Sequence, residues 1–572
     1  MAEVLLSPGV LARENDQSFL TAQPVQAGAA IVGPTVKGPV GIPTVVTSYS
    51  EYQNTFGAKV ESGSGEYSYF TSISAYNYFQ QGGDSLLVTR VASGSFTSAT
   101  SSKISNELTT DAFTLETFTE GIIANSTSTD GADNVLPNGN ADNLRWEIVS
   151  PNTASGTFNL LVRRGNDSIK QKVVLETWTN LSLDPNSNDY ITKVIGDAKQ
   201  TVTNDGNDYY LQYTGEYANK SRYIRVKSVG TPTLNYLNNA GSAKAEFTGS
   251  IPLAGSGSFG DADGTPFGNG TAAKFYGDIT NDDTQGLIAE NYTDSFRLLA
   301  NQDLFQYNCI AAPGLIRKFA TNTSQITRMV DNAQTRGDNL AIVDLVKYGE
   351  NLIPVTAEAA AIDSSYAATY WPWLQTLDPD LGSQVWVPAS TMMLGVFAFN
   401  DRASETWFAP AGLNRGGLST VVRAERNLTN GNRDTLYTAN VNPIATFPNV
   451  GVVVFGQKTL QKKASALDRV NVRRLLITLK SFISQIADNL VFEQNTIATR
   501  NNFLSQVNPY LASVQQRQGL FAFKVVMDES NNTPDVIDRN QLIGQIYIQP
   551  TKTSEFIYLD FNILPTGATF PS

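Results

Sequence analysis

Residues 69–91 read YFTSISAYNYFQQGGDSLLVTRV, and this stretch decides the predicted fold class. Apolar side chains recur at helical spacing over 69–81, which predicts a helix. Gly82 and Gly83 end that helix, because glycine is the usual residue just beyond a helix C-terminus. The apolar run 86–91 follows directly and is typical of a buried strand.

The same alternation of helix and strand returns in the second half of the chain. Helical patterns near 293–305 and 324–334 precede short strand-like runs at 308–312 and 340–346. Closer to the N-terminus, the apolar run 29–32 is also typical of a buried strand. Strands that alternate with helices are joined by crossover connections, so these segments predict a mainly parallel sheet.

The segment between these two α/β parts has a different composition. Residues 96–285 are rich in Ser, Thr, Asn, Gly and Asp, with alternating apolar and polar residues at 158–163 and 223–226. We therefore predict a β-rich domain inserted into the α/β domain. Residues 255–260 match the G-x-G-x-x-G pattern of dinucleotide sites, but no helix start follows, so we interpret them as a flexible loop.

The C-terminal part begins with the best amphipathic pattern in the chain, a helix predicted over 466–492 and capped by Ser465 and Asp468. Three alternating runs follow at 520–526, 542–548 and 555–561. The predicted architecture is α/β multidomain: an N-terminal arm (1–20), a split α/β core (21–95 and 286–440), the inserted β-rich domain (96–285), an α+β C-terminal domain (441–550) and a C-terminal arm (551–572).

Composition excludes most catalytic chemistry. The 572 residues include no histidine, which removes Ser-His-Asp and Cys-His mechanisms and His-ligated zinc. The one cysteine, Cys309, lies in an apolar run and is expected to be buried. We expect no enzyme, no cofactor and no metal site.

Charge and hydropathy limit the partners. The net charge of −12 disfavours direct nucleic-acid binding. No apolar run approaches the roughly 18 residues of a membrane span, so we expect no membrane insertion. The first fourteen residues carry Glu3, Arg13 and Glu14 and do not fit a signal peptide, so we expect synthesis in a cytoplasm.

Both ends of the chain carry apolar residues that need a partner. A fully extended twenty-residue arm reaches at most about 66 to 72 Å, beyond the surface of its own domain. The pattern allows two interpretations, packing on the parent domain or addition to a neighbouring subunit. The residues expected to make these contacts are Val4, Leu5, Leu6 and Val10 at the N-terminus and Ile557, Leu559 and Phe561 at the C-terminus.

A basic cluster stands out on this acidic chain. Between 457 and 480 Asp468 is the only acid, and Arg469, Arg473 and Lys480 are expected on one flank of the predicted helix. This flank could contact an acidic partner, lie in solvent, or form ion pairs with adjacent subunits. Its predicted members are Lys462, Lys463, Arg469, Arg473, Arg474 and Lys480.

Several short motifs occur in the order found in the tail sheath proteins of contractile phages, and the chain resembles that family, most of all its large myovirus type. The resemblance runs nearly end to end, except over about 96–180 and 200–285. The motifs include Ile31-Val32-Gly33-Pro34, Trp371-Pro372-Trp373, Trp407-Phe408-Ala409-Pro410, Asn414-Arg415-Gly416, Asp468-Arg469-Val470-Asn471 and Ile537-Asp538-Arg539-Asn540.

The resemblance implies a structural subunit of the virion tail, assembled in the host bacterial cytoplasm. Such subunits form stacked six-membered rings around a tail tube, and their contraction drives the tube through the host envelope to deliver the genome. The implied partners are further copies of this chain, the tail tube protein, and the baseplate and tail terminator proteins.

Further implications concern the individual parts of the chain. The resemblance implies that the arms join small sheets of neighbouring subunits and that the inserted domain lies outside. It also implies that the C-terminal domain faces the tube, and we expect the basic flank to contact acidic groups there.

Two alternatives remain open from the sequence. One is the sheath of a phage-derived bacteriocin or an extracellular injection device. The other is a hydrolase or carbohydrate-binding protein built on the α/β domain, against which the absence of histidine argues.

Overall fold

The computed structural model describes residues 25–558 apart from 63–64, 126–134, 137–138, 207 and 266–276. Its centre is an eight-stranded core sheet, parallel throughout except for the outermost strand at each edge. The α/β multidomain character predicted from the sequence is confirmed. In spatial order the strands are Gly451–Val454, Asn442–Phe447, Ala367–Trp371, Leu340–Asp344, Cys309–Ile316, Ala29–Gly33, Leu86–Arg90 and Thr44–Val46.

The central strands are continuous apolar runs because helices cover both faces of the sheet. Every residue of Ala29–Gly33, Leu86–Arg90 and Cys309–Ile316 is buried. Cys309 begins the last of these, and burial raises the pKa of its thiol to about 12, so the thiol is inert at neutral pH. The longer helices of this domain are Tyr49–Phe56, Phe70–Gln80, Ala320–Arg336, Leu352–Ala360, Ser390–Ala403 and Asn430–Thr438.

The helix predicted over 69–81 is observed as Phe70–Gln80 and packs against Ser390–Ala403. Asn77 donates a side-chain hydrogen bond to the Met392 carbonyl across this contact. Gly82 adopts a φ of 91°, and a Cβ there would lie 2.3 Å from a guanidinium nitrogen of Arg402. Glycine is therefore required where this helix turns into its strand.

The insertion forms a domain of its own, named the outer domain after its expected position, with a core around Phe113, Phe158 and Phe259. Its seven strands pair antiparallel throughout. In spatial order they are Val174–Ser182, Thr157–Arg164, Leu144–Asn152, Gly255–Gly260, Ser98–Ser101, Phe113–Glu120 and Ile224–Val229.

One of these strands corrects the interpretation of residues 255–260 as a flexible loop. Gly255–Gly260 pairs with Leu144–Asn152 on one side and Ser98–Ser101 on the other. A Cβ on Gly257 would lie 2.7 Å from the Trp146 ring, so its glycine permits close packing inside a sheet.

Polar and apolar contacts hold the outer domain against the core. The guanidinium of Arg90 is buried and donates to the carbonyl oxygens of Gly38, at 2.6 Å, and Glu120, at 2.8 Å. The hairpin of Lys199–Asn204 and Tyr209–Thr214 also packs its apolar side chains on the core domain.

The predicted domain boundary at 441 is wrong. Asn442–Phe447 and Gly451–Val454 form an antiparallel hairpin at the edge of the core sheet, where Asn442 pairs with Tyr370. A short hairpin carries no mark of which sheet it joins, and only the pairing partner decides this.

The C-terminal domain follows that hairpin and has a separate apolar cluster that includes Leu479, Val507 and Leu511. Ser465 caps only a short turn at 466–468, accepting a hydrogen bond from the Leu467 amide. The elements are the helices Val470–Asp488 and Ile497–Gln516, the strand Leu520–Val526, the short helix Pro534–Asp538 and the strand Gln545–Pro550.

Candidate functional site

Within the part of the chain that the structure describes, no group of three or more Cys, Asp or Glu side chains is placed to hold a metal ion. The described helices also include none with the length and apolarity needed to cross a membrane. The surfaces near the C-terminus are the more informative candidates.

The C-terminal hairpin consists of Leu520–Val526 and Gln545–Pro550, paired antiparallel. Among the described residues neither strand has a second neighbour, so both edges of this two-stranded sheet are open. Its inner face packs on the helix Ile497–Gln516, whereas Phe521 is 76% exposed and Tyr547 57% exposed on the outer face. Open edges beside exposed aromatic rings are typical of a sheet that accepts further strands.

Residues 551–558, the described part of the chain after the hairpin, form no helix or strand. Phe556, Ile557 and Tyr558 are 69%, 75% and 88% exposed. Three consecutive exposed apolar side chains mark a segment that lacks its partner. Of the predicted arm contacts, only Ile557 can be placed; Val4, Leu5, Leu6, Val10, Leu559 and Phe561 lie outside the described residues.

Sequence reasoning missed Glu555, which attaches this segment to the subunit. Its Oε1 accepts hydrogen bonds from Arg469 Nε at 2.7 Å and Gln457 Nε2 at 3.0 Å, and its Oε2 accepts one from the Tyr437 hydroxyl at 2.6 Å. Burial opposes ionisation of Glu555, but these donors outweigh it and hold its pKa below the usual value. The donors lie 86 to 118 residues away, so no local pattern could have indicated them.

The basic cluster does not form one exposed flank. Arg474 is buried and its guanidinium makes two hydrogen bonds to the Asp401 carboxylate. Arg473 is also buried, with its guanidinium carbon 3.9 Å from the centre of the Tyr366 ring and a hydrogen bond donated to Ser365. The prediction that Arg473 and Arg474 belong to an exposed flank is wrong, because the first turns of this helix are covered by the core domain.

The remaining basic residues divide into one that is paired and three that are exposed. Arg469 forms ion pairs with Asp468 and Glu555. Lys462, Lys463 and Lys480 are exposed. These three lysines are the part of the predicted flank that a partner can reach.

Comparison with protein families covers the second half of the chain. Residues 279–460 match the phage tail sheath protein central domain, and residues 462–564 match the phage tail sheath C-terminal domain. The division between the two matches falls after Gly451–Val454, the last strand of the core sheet.

The individual relatives of this chain are also tail sheath proteins. The tail sheath protein of Vibrio phage KVP40 is 39% identical over 216 residues, which is 38% of this chain and 31% of the relative. The tail sheath protein of Enterobacteria phage T4 is 35% identical over 223 residues, which is 39% of this chain and 33% of the relative. The chain thus spans about a third of the length of these curated relatives. The crystal structure of a sheath tail protein from Listeria innocua shares the fold, with a TM-score of 0.51 at 10% identity over 92% of this chain and 96% of that one.

Proposed function

Because this chain belongs to the tail sheath family of contractile bacteriophages, we propose that it is a structural subunit polymerising as stacked six-membered rings around a tail tube. Contraction of that sheath drives the tube through the host envelope during genome delivery. The subunit needs no cofactor or catalytic site, because the change in free energy comes from rearranging contacts between copies. The observation that carries this proposal is the C-terminal hairpin with its two open edges.

In the assembly, the arms 1–20 and 551–572 of neighbouring subunits add strands to this hairpin. Each added strand satisfies backbone N–H and C=O groups that an isolated edge leaves to water. Apolar arm residues would cover the exposed rings of Phe521 and Tyr547. The contacting residues we propose are Val4, Leu5, Leu6, Val10, Ile557, Leu559 and Phe561.

The exposed lysines supply the contact with the tail tube. The side chains of Lys462, Lys463 and Lys480 are exposed and can pair with acidic groups on the tube. Arg469, Arg473 and Arg474 support the same region from within the subunit. The chain has no direct contact with nucleic acid or lipid, and its other partners are the baseplate and the tail terminator at the two ends of the sheath.

The relatives from Vibrio phage KVP40 and Enterobacteria phage T4 are both phage proteins, which supports a phage setting. We therefore place the subunit in the virion tail, assembled in the host cytoplasm, rather than in a bacteriocin or an injection device.

Truncation tests the role of the arms. Purified full-length protein should form hollow tubes in negative-stain micrographs and sediment rapidly. Variants that lack 1–20 or 551–572 should remain monomeric, because the hairpin edges receive no strand. Circular dichroism on all three proteins controls for folding. Tubes of normal diameter from a folded truncated variant would contradict strand exchange.

A further inference from the structure

The C-terminal segment keeps contact with its own subunit only as far as Glu555 among the described residues. The Thr551 amide donates to the Gly519 carbonyl at 3.2 Å, and Thr553 accepts a hydrogen bond from Gln457 at 2.6 Å. Glu555 then accepts three more. The side chains of 556–558 are exposed. Within the described part of this segment, Glu555 is therefore the last side chain that attaches it to the subunit.

The donors to Glu555 belong to the core domain and its junction with the C-terminal domain. Tyr437 lies on the helix Asn430–Thr438, Gln457 follows the last strand of the core sheet, and Arg469 precedes the helix Val470–Asp488. The chain leaves the C-terminal hairpin and returns to the core before it departs. Glu555 thereby ties the end of the hairpin to a different domain.

The electrostatics favour an ionised Glu555 at this position. Its side chain is 18% exposed and that of Arg469 25% exposed, so water competes weakly for the pair. Lys458 lies 4.4 Å from the centre of the Tyr437 ring and adds a second positive charge nearby. Burial and the Glu555 carboxylate both raise the pKa of Tyr437, so its hydroxyl stays protonated and donates. Hydrogen bonds to an ionised group are stronger than hydrogen bonds between neutral groups. The Glu555 carboxylate accepts one from the charged Arg469 guanidinium and two from the neutral side chains of Gln457 and Tyr437.

We propose that Glu555 is the anchor at which the exchanged C-terminal arm leaves its parent subunit, which rests on the proposed exchange of arms. Residues up to 555 stay with the parent, and the arm proper is 556–572, or 572 − 555 = 17 residues. Fully extended, it reaches at most about 56 to 61 Å. A force on the arm is borne first by the contacts of Glu555. The strand Gln545–Pro550 therefore keeps its pairing with Leu520–Val526.

Chymotrypsin tests the anchor on the full-length monomer, because this protease cleaves after aromatic residues and Phe556 follows Glu555 directly. Cleavage requires local release of the flanking segment. The substitutions Tyr437→Phe and Arg469→Gln leave the cleaved sequence unchanged. Each should accelerate the appearance of chains that end at Phe556, identified by intact mass, by about tenfold, the factor expected for one lost charge-assisted hydrogen bond.

Two matched controls separate the anchor from general effects of substitution. Tyr213→Phe removes an exposed hydroxyl from the outer domain, Arg539→Gln removes an exposed ion-pair partner from the C-terminal domain, and both should leave the rate unchanged. Wild-type cleavage rates in both Tyr437→Phe and Arg469→Gln would overturn the anchor. Because the assay uses monomer, this result is independent of polymerisation. If a chain ending at Glu555 still forms tubes, strand exchange fails instead, whatever the cleavage rates.

Discussion

Removing the charge of Asp401 should destabilise the junction between the core and the C-terminal domain. Asp401 lies on the helix Ser390–Ala403, and its carboxylate accepts hydrogen bonds from Nη1 and Nη2 of Arg474. Burial disfavours the charged guanidinium, but Asp401 outweighs it and raises the pKa of Arg474. The substitution Asp401→Asn therefore leaves a charged group buried without its counter-ion.

The size of the effect follows from burial. The side chain of Arg474 is 4% exposed and that of Asp401 is 29% exposed. Breaking a buried ion pair from one side costs roughly 3 to 5 kcal/mol, and the partial exposure of Asp401 places this pair at the lower end, about 3 kcal/mol. With a denaturant slope of about 3 kcal/mol per M, the urea midpoint should fall by about 1 M.

Urea unfolding followed by circular dichroism and tryptophan fluorescence measures this change. The matched control is Asp535→Asn, which removes an exposed carboxylate paired with Arg539 and should cost at most about 0.5 kcal/mol. If Asp401→Asn unfolds at the same urea concentration as the control, the ion pair does not stabilise the junction and the reasoning is refuted.

Three further predictions concern other parts of the molecule. Burial raises the pKa of Asp344 to about 6, despite the opposing hydrogen bonds from Ser390, so the folded protein binds this proton more tightly than the unfolded chain. Stability should therefore rise by about 1 kcal/mol from this group between pH 7 and pH 5, measured as the part of the pH dependence that Asp344→Asn abolishes. Gly257→Ala should destabilise the outer domain by about 2 kcal/mol in fluorescence-monitored unfolding, whereas Gly255→Ala, whose Cβ meets no atom within 4 Å, should not. Lys480→Glu should weaken co-sedimentation with isolated tail tubes about tenfold without changing polymerisation or stability; equal binding would remove this lysine from the tube contact.

The sequence alone determined the features that depend on neighbouring residues. The spacing of apolar residues over 69–91 is sufficient to predict a helix that ends at glycine and leads into a buried strand. The observed helix Phe70–Gln80 and strand Leu86–Arg90 agree closely with that prediction. A change in composition was likewise enough to indicate the inserted β-rich domain. These features could be predicted because the spacing of apolar side chains and the chemistry of turns act over a few residues.

Only the tertiary structure decided which faces are covered and which strands pair. Helical spacing placed Arg473 on the flank of a helix, but the core domain that covers that flank comes from distant parts of the chain. The strand at 442–447 joins the core sheet through Tyr370. Gly255–Gly260 is a strand because it pairs with Leu144–Asn152 and Ser98–Ser101. The three side chains that donate hydrogen bonds to Glu555 lie about a hundred residues away in the sequence. Burial and long-range pairing are properties of segments brought together by folding, and a local pattern of residues does not record its partner.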